Sequence, residues 1–169
     1  RYPETYLDMV RPGIALYGVG DDAEALGLRP VMRLKSTVST IKVFDDGTCV
    51  SYGRTFRTEG RTRVGVLPIG YADGFFRGLS GRMSVVTERG RAPLLGRICM
   101  DMCMVDLTAL PDVHVGDTVE IFGQRQRVDD LAAILGTIPY ELTCAVSKRV
   151  PRVYLSGGQE IARELRIME

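Results

Sequence analysis

Ile41-Lys42-Val43-Phe44-Asp45-Asp46-Gly47-Thr48-Cys49-Val50-Ser51-Tyr52-Gly53-Arg54-Thr55-Phe56 reads as an extended run, a turn and a second extended run. The first run starts back at Met32 and is rich in β-branched residues, which favour strands. Asp45-Asp46-Gly47 stops it, because Asp bonds neighbouring backbone and Gly accepts the positive φ of a tight turn. Thr48 to Phe56 is predicted to run back extended. A lone pair of strands is marginal in water, so the rest of the chain has to supply more sheet.

It does so in both directions. Thr62 to Ile69 reads as an apolar strand, and Met83 to Thr87 and Ala92 to Leu95 flank the turn Glu88-Arg89-Gly90-Arg91. Arg97 to Leu107 is the clearest predicted strand. Alternation there sends Cys99, Asp101 and Cys103 to one face and Met100, Met102 and Met104 to the other. Val115-Gly116-Asp117 is a turn before a strand at Thr118 to Phe122. Many short strands between turns predict a closed or sandwiched β domain. Two short helices follow: Asp130 to Leu135, with Asp129 as N-cap and Gly136 as C-cap, and about Tyr140 to Ser147, entered through Pro139. Val150 to Tyr154 returns to extended structure, and Gln159 to Met168 is a polar, peripheral tail. Upstream, Tyr6 to Val10 reads as a short amphipathic segment, Arg11 to Gly18 as a buried strand, and Asp21 to Pro30 as a polar linker.

Composition removes several classes. The 169 residues suit one ordinary domain or a domain with an appendage. A net charge of +1 predicts no nucleic-acid partner. No apolar run approaches the roughly 18 residues that span a bilayer, which predicts no membrane partner. No signal peptide is expected from Arg1-Tyr2-Pro3-Glu4, and the lack of an initiator Met hints at a piece of a longer protein. Cys49, Cys99, Cys103 and Cys144 form no C-x-x-C pair, and His114 is the single imidazole, so no metal site is expected. Reduced, mostly buried thiols in a cytoplasmic protein are the reading.

Several residues are candidates for chemistry. Tyr52 stands beside Gly53 with Arg54 close by. A phenol titrates near ~10 in water, and a nearby cation with partial burial makes it a usable base. Taken alone it reads more readily as a packed strand residue. Arg11-Pro12-Gly13-Ile14 offers backbone N–H groups to an anion and an Arg to a planar acceptor, or is an ordinary strand entry. Gly70-Tyr71-Ala72-Asp73-Gly74 suits a loop that approaches a ligand, or a turn whose Asp73 bonds the backbone. Gly96 to Met102 mixes Arg97 and Asp101 into a half-buried strand, where they form either a functional set or a plain ion pair, and Met stripes more often belong to a core. Tyr140 sits near a helix start, an end that favours phosphate, or covers the adjacent core.

Taken in order, these segments resemble the C-terminal part of bacterial alanine racemase. The matching segments are Met9-Val10-Arg11-Pro12-Gly13-Ile14-Ala15-Leu16-Tyr17-Gly18, Val50-Ser51-Tyr52-Gly53, Ile69-Gly70-Tyr71-Ala72-Asp73-Gly74, Gly96-Arg97-Ile98-Cys99-Met100-Asp101 and Ser147-Lys148-Arg149-Val150-Pro151-Arg152-Val153. The implied fold is mainly β, a closed or partly closed antiparallel β-barrel with a few short helices, as in the C-terminal domain of a fold-type III enzyme of pyridoxal 5'-phosphate. Residues 1–20 are then the final segment of an N-terminal (β/α)₈ barrel, 21–30 a linker and 31–169 the β domain.

The resemblance implies interconversion of L-alanine and D-alanine by two bases, in a cytoplasmic homodimer serving D-alanine biosynthesis for peptidoglycan or alanine catabolism. Tyr52 matches the base that takes the α-proton of L-alanine. The other base, a barrel lysine that also tethers the cofactor, is not in this chain: Lys35, Lys42 and Lys148 do not lie in a matching motif. Arg11 matches the partner of the pyridine nitrogen. Gly13 and Ile14 match N–H donors to the phosphate, and Tyr140 a hydroxyl donor to it. Met100 matches the N–H donor to the substrate carboxylate, while Tyr71, Arg77 and Arg97 match residues at the entrance. Tyr52, Tyr71 and Met100 are expected to serve the partner's site, Arg11 and Tyr140 their own. The alternatives are a racemase of serine or broader range, and a β-barrel dimerisation module without chemistry.

Overall fold

The computed structural model describes residues 2–20 and 22–165. Arg1, Asp21 and residues 166–169 lie outside the described residues, and with them the first residue of the expected linker and the end of the expected tail.

The molecule is mainly β. Its strands are β1 (Leu34–Thr37), β2 (Thr40–Phe44), β3 (Cys49–Val50), β4 (Phe56–Arg57), β5 (Thr62–Leu67), β6 (Ser84–Thr87), β7 (Gly90–Leu95), β8 (Cys103–Asp106), β9 (Thr118–Phe122), β10 (Arg152–Ser156) and β11 (Gln159–Glu164). Two α-helices, α1 (Val128–Leu135) and α2 (Pro139–Ala145), complete it, with short 3-10 turns between strands. Seven strands form one antiparallel sheet in the order β1-β9-β6-β7-β8-β5-β2. Its two edges are consecutive in the chain. Val38 N–H donates to Asp117 O on the β9 side, and Ser39 N–H donates to Val66 O on the β5 side. The chain thereby crosses from one edge to the other between β1 and β2 and curls the sheet into a partly closed barrel, with β1 and β2 as its edge strands.

The inward faces meet in one main core, with Leu67, Val85, Val105, Leu107, Val119 and Ile121 almost fully buried. Phe75 and Ile98 belong to that core although neither lies in a strand. Each such side chain contributes about 1.5–3 kcal/mol by leaving water. Two loops are anchored by them: one carries Tyr71, the other Met100.

The two helices form where expected, with corrected starts. Gly136 is the left-handed C-cap of α1 and Pro139 the first residue of α2. Asp129 is not the N-cap: α1 starts at Val128 after Arg127. Its carboxylate instead accepts from Gly20 N–H and from Arg127 Nε.

Four predicted strands are overturned. Met32 to Phe44 is not one run: it divides at Val38 and Ser39 into β1 and β2, which lie on opposite edges of the sheet. Thr48 to Phe56 is not one run, because Ser51, Gly53 and Arg54 all take positive φ. The chain reverses in a 3-10 turn at Tyr52–Arg54, and β3 pairs with β4 across it. Arg97 to Leu107 is not one strand either. Gly96 has φ +66 and Cys99 N–H bonds forward to Met102 O, which folds residues 97–102 into a loop before β8. Alternation fails there: Cys99 and Cys103 are buried, while Met100, Asp101 and Met102 are exposed. Arg11 to Gly18 is a 3-10 turn, Gly13–Tyr17, with Leu16 and Tyr17 exposed. Gly13 at φ +57 stops extension, and no described strand lies beside it. The segment still touches the body of the fold through buried Val19 and half-buried Ile14. Finally, the described part of the tail is no plain appendage, since β11 pairs with β10 around Gly157-Gly158.

Candidate active site

Tyr52 projects from the 3-10 turn between β3 and β4 with 73% of its surface exposed, so packing is not its role within this chain. Ser51 fastens the turn: its Oγ donates to Arg97 O at 2.7 Å and accepts from Arg97 N–H at 3.1 Å. Gly96 allows that approach, because a Cβ there would lie 2.7 Å from Ser51 Cβ. The Arg97 guanidinium covers Gly53, whose Cβ would sit 3.1 Å from Nη1. The expected Arg97–Asp101 pair does not form. Asp101 pairs with Arg149 instead.

The loop ahead of β8 and the turn Tyr71–Asp73 are sewn together. Tyr71 N–H donates to Cys99 O and Ala72 N–H to Met100 O, both at 3.0 Å. Gly70 is required for this closeness, since a Cβ would fall 2.2 Å from Cys99 O and 2.3 Å from Met100 O. Asp73 bonds the backbone as its turn reading predicts, accepting from Gly70 N–H at 2.8 Å. With Cys99 O, Met100 O and Met102 O occupied, the N–H groups of Met100 and Asp101 have no partner among the described residues. Free adjacent N–H groups at a loop tip suit an anion.

Tyr52, Cys99, Met100, Asp101 and Met102 line one open depression of about 390 Å³. That is room for a small molecule. Met100 and Met102 are exposed rather than core, because they lie in the loop and not in a strand. Tyr71 is exposed on the neighbouring turn, as is Arg77 on the 3-10 turn Arg77–Leu79.

A second group gathers on another part of the chain. A Cβ on Gly13 would lie 3.7 Å from Tyr140 Oη, so the hydroxyl at the start of α2 stands over the Gly13 backbone. Gly13 and Ile14 N–H donate to no described residue. Two N–H groups and one hydroxyl form a donor set that suits a phosphate. Arg11, exposed, lies two residues ahead.

Sequence reasoning left Arg149 without a role. Its Nε donates to Asp73 Oδ1 at 2.7 Å and its Nη2 donates to Asp101 Oδ1. These bonds, Asp73 first, hold its pKa above the ordinary arginine value. Arg152 steadies the segment beneath, donating to Val146 O, Ser147 O and Val150 O. The signal was the charge pattern of Ser147 to Val153, in which the acceptors of Arg149 are remote in sequence.

Burial, and then the neighbouring Cys99, push the Cys103 thiol far above its usual range. It stays protonated and unreactive, whereas Cys144 on α2 is exposed. With iodoacetamide at mildly alkaline pH, mass spectrometry is expected to show Cys144 labelled first and Cys103 unlabelled until the chain is unfolded. Among the described residues no set of three or more His, Cys, Asp or Glu side chains is placed to hold a metal. No described helix is long and apolar enough to cross a membrane.

Comparison with known proteins adds an independent line. The family model described as "Alanine racemase, C-terminal domain" matches residues 31–154. The chain is 48% identical over 167 residues to alanine racemase 1 of Clostridium acetobutylicum, covering 94% of this chain and 43% of that protein. It is 47% identical over 168 residues to the alanine racemase of Clostridium novyi, covering 94% and 43%. A solved alanine racemase of Clostridium difficile superposes with a TM-score of 0.92 at 38% identity, covering 98% of this chain and 44% of that one. The chain thus spans less than half the length of the relatives it matches.

Proposed function

This chain belongs to the alanine racemase C-terminal domain family, and on that premise we propose that it is part of a pyridoxal-phosphate-dependent enzyme interconverting L-alanine and D-alanine. The observation that carries the reading is the depression shared by the Tyr52 ring and the free N–H groups of Met100 and Asp101. A phenolic oxygen and a carboxylate receptor in one small space are what proton transfer at the α-carbon of an amino acid needs.

In this reading Met100 N–H, with Asp101 N–H beside it, holds the substrate carboxylate and thereby aims the α-carbon. Tyr52 takes the α-proton of L-alanine on one face, or returns one when D-alanine is the substrate. The opposite face belongs to a base outside this chain, because inversion requires a proton to leave one side and arrive from the other. Tyr71, Arg77 and Arg97 line the way in.

The donor set at Gly13, Ile14 and Tyr140 fits the phosphate of pyridoxal phosphate, and Arg11 fits its pyridine nitrogen. Once bound, that cofactor supplies an electron sink for the carbanion formed at the α-carbon. An Arg keeps its own proton, so Arg11 leaves the ring nitrogen without one and moderates that sink.

Residues 1–20 are read as the end of a barrel, 21–30 as a linker and 31–169 as the β domain. The exposure of Tyr52, Tyr71 and Met100 supports a homodimer in which they close the partner's site, while Arg11 and Tyr140 serve their own. Four free cysteines fit a reducing cytoplasm. A role in supplying D-alanine for peptidoglycan is the physiological reading.

The test is direct. Full-length protein with pyridoxal phosphate and L-alanine is expected to yield D-alanine, with L-serine a poorer substrate because the space is small. The 169-residue chain alone is expected to yield none, since half of the proton-transfer machinery lies elsewhere. D-Alanine formation by the isolated chain would refute the two-base division, and none from the full-length protein would refute the reading itself.

A further inference from the structure

We propose that Arg149 is a positioning residue for substrate binding, fixing the aim of the Met100 and Asp101 N–H groups by tying their loop to the turn that carries Tyr71. This rests on the reading that Met100 N–H receives the substrate carboxylate.

One guanidinium joins two loops. Asp73, buried, uses both oxygens: Oδ2 accepts from Gly70 N–H at 2.8 Å and Oδ1 from Arg149 Nε at 2.7 Å. The other arm of Arg149 reaches Asp101 Oδ1 at the tip of the Met100 loop. The neck of that loop is held by its own Cys99 N–H to Met102 O bond and by the donors Tyr71 and Ala72. Among the described residues, the Asp101 side chain has Arg149 as its one hydrogen-bond partner.

Arg149 can act as a fixed post because its base is rigid. Ser147 N–H donates to Asp73 O, Val150 N–H to Ser147 O, and Arg152 gathers three carbonyls from the same segment. An Arg suits the task where a Lys does not. Its planar fork presents Nε and Nη2 in two fixed directions at once, whereas an ammonium is a single point on a flexible stem. The exposed tip of the Met100 loop therefore takes its orientation from the buried Asp73 through Arg149, in addition to the backbone bonds at its neck.

The consequence is confined to binding. With Arg149→Gln in the full-length enzyme, KM for L-alanine is expected to rise about 10-fold, the worth of one misaimed charge-assisted hydrogen bond. kcat is expected to change by less than about 3-fold, because Tyr52 is fastened separately through Ser51 and Arg97. Arg149→Lys keeps the charge and is the variant to use if Arg149→Gln does not fold. KM is still expected to rise several-fold, as about one of the two bonds is kept. Amide hydrogen exchange at Tyr71 and Ala72 in both variants is expected to quicken, since their acceptors lie in the released loop.

A KM within about 2-fold of wild type for Arg149→Lys, or unaltered exchange at Tyr71 and Ala72, overturns the proposal. So do equal falls in kcat and in cofactor affinity, which indicate a general lesion. A wild-type enzyme without racemase activity overturns the functional reading instead, and the exchange measurement then decides the positioning on its own.

Discussion

Tyr52→Phe in the full-length protein is expected to cut racemisation by about 10²–10⁴-fold, the usual worth of a positioned general base. The change deletes one oxygen and nothing structural. Tyr52 is 73% exposed, and among the described residues no hydrogen bond uses its hydroxyl. Stability should therefore move by less than about 0.5 kcal/mol, as for an ordinary surface substitution. That separation makes the experiment sharp, because lost activity cannot be blamed on lost fold. Running the reaction in D₂O adds a directional readout. L-Alanine should lose its α-proton exchange, while D-alanine, served by the base on the other face, should still exchange without inverting. An unchanged rate would remove Tyr52 from the mechanism and favour the reading of this domain as a dimerisation module.

Gly70→Ala is expected to damage the fold severely, and urea unfolding of the 169-residue chain tests it. Gly70 has an ordinary extended backbone, φ −146, so no conformational penalty is at issue. The new Cβ would fall 2.2 Å from Cys99 O and 2.3 Å from Met100 O. These are backbone atoms, fixed through Ile98 in the core, and cannot swing aside as a side-chain end does. Relief requires the two loops to part, which breaks the Tyr71 and Ala72 hydrogen bonds to those oxygens. A loss of about 3 kcal/mol or more in urea unfolding is expected, the range of overpacking compounded by broken hydrogen bonds. Gly116→Ala is the control. It has φ +96 and open space around it, so it should cost about 1–2 kcal/mol, the backbone penalty alone. If the two variants lose similar stability, the close approach at Gly70 is not what demands glycine there.

The legible parts of the sequence were local. Asp45-Asp46-Gly47, the apolar runs of β5 and β9, Gly136 after α1 and Pro139 opening α2 all follow from the conformational preferences of neighbouring residues. Runs of mixed character misled. Arg97 to Leu107 alternates well enough for a strand, yet Gly96 and the bond from Cys99 N–H to Met102 O fold its first half into a loop. Arg11 to Gly18 is apolar enough for a buried strand but has no strand beside it.

The site divided in the same way. Tyr52, Met100, Tyr71, Gly13 and Tyr140 were singled out as candidates by the order of short segments along the chain. Arg149 was not, because its two carboxylates lie 76 and 48 residues away. Residue identity, turn chemistry and the ordered segments were enough to determine a mainly β chain, its family likeness and which side chains to watch. Only the tertiary structure decided that Tyr52 stands exposed on a turn, that the Met100 and Asp101 N–H groups have no partner among the described residues, and that Arg149 bridges Asp73 and Asp101. Each of these depends on hydrogen bonds between segments remote in sequence, and such bonds exist only once the sheet has curled and brought the loops together.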